Sequence, residues 1–121
     1  MQKVIIIGAT SGIGRALAER FLRNGYMVGI TGRRKQLLDE LQQQYPKQVK
    51  TAVFDVMGNE NRKQLQQLID ELGGMDIFIY NSGFGEASKD LSWEHDEQIT
   101  RINVNGFIET TNYAFNYFVQ Q

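Results

Sequence analysis

The stretch IIIGATSGIG, residues 5–14, constrains this chain more than any other. Four apolar residues, Val4 to Ile7, run into three closely spaced glycines, Gly8, Gly12 and Gly14, and Arg15-Ala16-Leu17 follow. A β-branched run of this kind reads as a strand buried on both faces, as in a parallel sheet. Ile13, Leu17 and Phe21, with Ala18 and Leu22 beside them, make one apolar face of a helix from Ile13 to Asn24. The glycines therefore lie between a buried strand and an amphipathic helix. Gly8 permits a sharp exit from the strand, Gly12 lets the backbone approach a pyrophosphate, and Gly14 lets helix and sheet pack closely. Unpaired N–H groups at the helix start attract anions. A glycine-rich turn alone also occurs as a simple tight connection; its setting here favours a nucleotide.

The rest of the chain repeats the alternation. Asn24-Gly25 supplies a left-handed stop, and Tyr26 to Thr31 reads as a second strand. Leu37, Leu38, Leu41 and Tyr45 mark a second helix, which must end before Pro46. Val49 to Phe54 is a third strand. Leu65, Leu68, Ile69 and Leu72 mark a third helix closed by Gly73-Gly74, and Asp76 to Tyr80 is a fourth strand. Trp93 to Gln121 reads as helical, with a break expected near Asn103–Gly106, because Asn and Gly are poor helix formers. Strands and helices alternating at this spacing predict an α/β fold with a doubly wound parallel sheet.

A length of 121 residues suits one domain, 1–121. A net charge of −1 provides no basic field for nucleic acid. Cysteine is absent, which excludes a disulfide framework and thiolate metal sites. The apolar start is broken by Gly8 before it could form a signal peptide or a membrane span, so the cytoplasm is the expected compartment. His95 stands among Glu94, Asp96 and Glu97. Acids in the first turn of a capped helix explain this cluster better than a metal does.

Thr31-Gly32-Arg33-Arg34 follows the second strand. Enzymes of this architecture that prefer NAD commonly place an acid there, to accept bonds from the ribose 2′-hydroxyl. This chain instead carries two guanidinium groups, whose fork matches a phosphate. The expected cofactor is therefore NADP rather than NAD, with Arg33 the main contact and Thr10 or Arg34 assisting.

The glycine spacing is G-x-x-x-G-x-G, and at this point the sequence resembles the short-chain dehydrogenases/reductases. GATSGIG is similar to that family's cofactor turn, with Ile7 where the family usually has threonine. FDV, residues 54–56, resembles the acidic turn after the third strand. YNSGFG, residues 80–85, resembles the Asn-Asn-Ala-Gly stretch, departing from it at Ser82. INVNG, residues 102–106, resembles the segment whose first asparagine belongs to the catalytic set. The resemblance implies a Rossmann-like fold and cofactor contacts from Gly8, Thr10, Ser11, Gly12, Ile13 and Gly14. It further implies an adenine contact from Asp55, passage of the ribose at Asn81 and Gly83, further cofactor contacts from Val56 and Ser82, and a catalytic role for Asn103. The implied substrate is a small carbonyl or alcohol.

Family catalysis also requires a tyrosine followed four residues later by a lysine. None of Tyr26, Tyr45, Tyr80, Tyr113 and Tyr117 has that partner. The chain thus reads as the amino-terminal half of a short-chain oxidoreductase, truncated after the fourth strand and its following helix and expected to be inactive alone. The alternative is a non-catalytic dinucleotide-binding module ending near residue 121. On the first reading the fourth strand is expected at a sheet edge, because the resemblance implies a topology that places it between the first strand and a fifth. With the apolar residues of the last helix, that edge predicts a homo-oligomer.

Overall fold

The computed structural model describes residues 1–9, 12–54, 60–81 and 93–120, with backbone alone over 93–105. In chain order the elements are β1 (Lys3–Ile7), α1 (Gly12–Arg23), β2 (Met27–Gly32), α2 (Lys35–Gln44), β3 (Val49–Val53), α3 (Asn61–Leu72), β4 (Ile77–Tyr80) and α4 (Trp93–Gln120). The strands pair in parallel in the order β3-β2-β1-β4. The chain steps outward from β1 to β3. It then returns through α3 and sets β4 on the other side of β1. That reversal creates a switch point between β1 and β4, beyond whose carboxyl ends ligands bind in open α/β sheets.

The apolar run in β1 is continuous because both of its faces are covered. Val4 and Ile6 join Val28, Ile30 and Val49 under Ala18 and Leu22 of α1 and Leu38 and Leu41 of α2. Ile5 and Ile7 point the other way, toward Leu65, Leu68, Ile69 and Leu72 of α3 and Ala114 of α4. Each such fully buried aliphatic side chain contributes about 1.5–3 kcal/mol. α3 sits so low on the sheet that a Cβ at Gly29 would lie 2.8 Å from Leu72 Cδ1 and 3.1 Å from Ile5 Cγ1. The glycine inside β2 therefore makes room for a helix.

The helix stops follow the sequence. Gly25 (φ 83°) ends α1 and Gly73 (φ 81°) caps α3, where the Gly74 N–H donates to Ile69 O at 3.0 Å. α2 stops at Gln44, ahead of Pro46.

One expectation fails. α4 runs unbroken through Asn103–Gly106. Gly106, Thr110 and Ala114, four apart, are buried, and Thr110 Oγ1 donates to Gly106 O at 2.8 Å. Small residues at this spacing form a flat stripe along the buried side of α4, and tertiary packing of that stripe outweighs a propensity penalty of about 1 kcal/mol. Tyr113, beside the stripe, has its phenol pKa raised by burial and then by the nearby Asp70 carboxylate.

β4 pairs only with β1 among the described residues, as an edge strand does. Phe107, Ile108, Phe115 and Val119 leave much of their surface in solvent on α4. No helix among the described residues is long and apolar enough to cross a membrane.

Candidate cofactor site

The site lies at the carboxyl ends of β1, β2 and β4, and backbone geometry builds it. Gly8 leaves β1 at φ 88°, a left-handed conformation that favours glycine, so the chain turns sharply toward α1. Gly12 opens α1 at φ 62°, and a Cβ there would meet nothing within 4 Å. Gly14 is the opposite case. Its Cβ would run into the Gly8 carbonyl oxygen and lie 2.7 Å from Asn81 Nδ2. The turn is thus closed behind, at Gly14, and open in front, at Gly12. A cradle of this shape fits a pyrophosphate, which needs bare backbone on one side and fixed support on the other. No acid stands in the first turn of α1 to compete for the helix N-terminus.

Two strands hold the turn. On the β2 side, Thr31 O accepts from the N–H groups of Gly8 at 3.1 Å and Ala9 at 2.9 Å. Thr31 Oγ1 accepts from the same Gly8 N–H at 3.2 Å. On the β4 side, the Asn81 N–H donates to Ile7 O at 2.9 Å, and Asn81 Nδ2 donates to Gly8 O at 3.3 Å. Asn81, expected from sequence to contact the ribose, supports the turn.

Gly32 leads from Thr31 to Arg33 and Arg34, both exposed. Arg34 stands at the N-cap of α2 and makes no side-chain capping bond there. Next to it, Lys35 Nζ pairs with Asp39 at 2.8 Å, within the helix. α2 has no acid in its first turn. The start of α2 is therefore an electropositive corner, which attracts an anion.

The structure thus brings Gly8, Gly12, Ile13, Gly14 and Asn81 together around one turn, with Arg33 and Arg34 two and three residues beyond its β2 anchor. Ile13 is 72% exposed at the mouth of the turn. Thr10, Ser11, Asp55, Val56, Ser82 and Gly83 lie outside the described residues. Asn103 falls within α4, where its side chain is not among those described, and the same holds for His95. Among the described residues no three His, Asp or Glu side chains gather as a metal site would require. Thr31 was not singled out by sequence reasoning. Its signal was a threonine in an otherwise apolar buried strand, directly before the glycine and the arginine pair.

The profile of the family described as short chain dehydrogenase matches residues 2–121. The chain belongs to the short-chain dehydrogenase family, a family of oxidoreductases. A glucose 1-dehydrogenase of Gluconobacter oxydans is 29% identical over an alignment of 126 residues, covering 98% of this chain and 47% of that protein. An NADP-dependent 3-hydroxy acid dehydrogenase of Salmonella typhi is 32% identical over 115 residues, covering 89% of this chain and 45% of that protein. The crystal structure of a short chain dehydrogenase from Bacillus anthracis superposes with a TM-score of 0.83 at 33% identity, covering 98% of this chain and 50% of that one. The chain spans about half the length of the curated relatives it matches.

Proposed function

We propose that residues 1–121 form the cofactor-binding part of an NADP-dependent short-chain oxidoreductase acting on a carbonyl or alcohol substrate. When bound, the nicotinamide supplies the hydride chemistry. The chain's own part is to hold the dinucleotide. The glycine turn takes the pyrophosphate, the Asp55 and Asn81 turns take adenine and ribose, and Asn103 belongs to the catalytic set. The observation that carries NADP over NAD is the electropositive corner at Arg33 and Arg34, set two residues beyond the Thr31 anchor of the glycine turn. The similar 3-hydroxy acid dehydrogenase named as NADP-dependent supports the same choice. Charge-assisted bonds to the 2′-phosphate contribute roughly 1.5–3 kcal/mol, a preference of roughly 10- to 150-fold. Calorimetric titration of the chain with NADPH and NADH measures it, and equal affinities would refute the assignment.

We further infer that the exposed apolar side of α4 is covered by a second copy in a homo-oligomer. Phe107, Ile108, Phe115 and Val119 lie exposed on it. From Phe107 to Gln120 the helix carries a single charge, Glu109, so an identical partner meets almost no like-charge repulsion. Light scattering over a dilution series should show association that Phe115→Glu weakens. A compact monomer at high concentration would overturn this inference.

A further inference from the structure

We propose that Thr31 is a positioning residue for the dinucleotide turn, an inference that rests on the cofactor reading above. Its side chain is buried, at 1% exposure, on a strand whose other buried side chains are Val28 and Ile30. A hydroxyl in such a place is costly unless hydrogen-bonded, and Thr31 Oγ1 accepts from the Gly8 N–H at 3.2 Å. The Thr31 carbonyl takes the Gly8 and Ala9 N–H groups as well. One residue of β2 therefore receives three hydrogen bonds from the first two residues of the β1–α1 turn. From the other side Asn81 Nδ2 holds Gly8 O. Gly8, whose left-handed φ makes the turn out of β1, thus has both its N–H and its carbonyl tied to side chains of flanking segments.

This fixes more than one peptide plane. Thr31 is also the last buried side chain before Gly32-Arg33-Arg34. The same residue thereby ties the path of the glycine turn to the start of the basic corner. The corner's position is set by the β2 backbone, whereas the hydroxyl bond preorganises the glycine turn alone, and that preorganisation lowers the cost of binding any dinucleotide. The hydroxyl bond acts on the glycine turn, which NAD and NADP share. Its loss should therefore weaken both cofactors by one factor and leave their ratio alone. Loss of an arginine should change the ratio instead.

The test uses the full chain with Thr31→Val, which keeps the β-branched shape but removes the acceptor, and Thr31→Ser, which keeps the hydroxyl. Hydrogen exchange at the Gly8 amide is measured without cofactor, and NADPH and NADH affinities are titrated separately. In Thr31→Val, Gly8 exchange should quicken and both affinities should fall by roughly three- to tenfold, with their ratio unchanged. Thr31→Ser should restore both readouts. The proposal is overturned if Thr31→Val matches the parent in Gly8 exchange or in affinity, or if Thr31→Ser behaves like Thr31→Val. A parent chain that binds neither dinucleotide would overturn the cofactor reading, and the positioning role with it. A parent that binds, with an unaltered valine variant, would overturn the role of Thr31 alone.

Discussion

Replacing Gly14 with valine is expected to disrupt the glycine turn and to abolish dinucleotide binding. A Cβ at this position collides with the Gly8 carbonyl oxygen and also crowds Asn81 Nδ2 at 2.7 Å and the Gly8 carbonyl carbon at 3.1 Å. Two of the three atoms it meets are backbone, so no rotamer change relieves the contact. Nor can the peptide swing away cheaply, because Thr31 holds the Gly8 N–H and Asn81 holds its oxygen. α1 would have to move off the sheet, carrying Ala18 and Leu22 from their core. Overpacking of this kind costs about 1–3 kcal/mol for one extra group, and valine adds three carbons. At about 4 °C per kcal/mol for a domain of this size, the melting temperature should fall by roughly 10 °C or more. Gly25→Ala is the control. Its Cβ would meet nothing within 4 Å, so only the φ of 83° opposes it, at about 1–2 kcal/mol. Thermal melts followed by circular dichroism compare the two. A Gly14→Val chain that melts with the parent and still binds NADPH would show that the turn is looser than its contacts imply.

The contrast between Gly14 and Gly12 shows how far sequence carried the site. The strand–glycine–helix order, read with elementary steric rules, assigned different tasks to the three glycines. The structure separates them in the same way, with Gly8 turning, Gly12 open and Gly14 packed against backbone. The unbroken apolar run of β1 likewise foretold a strand covered on both faces, because a strand covered on one face alternates. Sequence reasoning failed where the determining contact is distant along the chain. Thr31 is 23 residues from the Gly8 amide it receives, and Asn81 is 73 residues from the carbonyl it supports. No local pattern encodes such bonds. Gly106 misled for a related reason. Read alone it breaks a helix, whereas beside Thr110 and Ala114 it completes a stripe of small buried residues on α4. A search for small residues at steps of four would have found that stripe.

Replacing Arg33 with alanine should erase most of the proposed preference for NADP while leaving NADH affinity close to its parent value. Arg33 follows Gly32, the last residue of β2, and its exposed position places it at the rim of the site rather than in the core. Its removal therefore costs little stability; exposed substitutions of this sort usually fall within about 0.5 kcal/mol. The binding cost is larger and selective. A bidentate guanidinium–phosphate pair contributes roughly 1.5–3 kcal/mol, so NADPH should bind roughly 10- to 150-fold more weakly. NADH has no 2′-phosphate and should lose little. Arg33→Lys should recover only part of the loss, because an ammonium presents a point charge and not a planar fork. Arg34→Ala should have the smaller effect if Arg34 assists from the N-cap of α2. Raising ionic strength should erode the NADPH advantage in the parent and scarcely alter the variant, since exposed charges are screened within about 10 Å at 0.1 M salt. Titrations of both dinucleotides at two salt concentrations give all of these numbers from the same samples. An Arg33→Ala chain that keeps its preference would move the 2′-phosphate contact elsewhere. Equal losses for NADPH and NADH would mean that Arg33 supports the common part of the dinucleotide and does not select between the two cofactors.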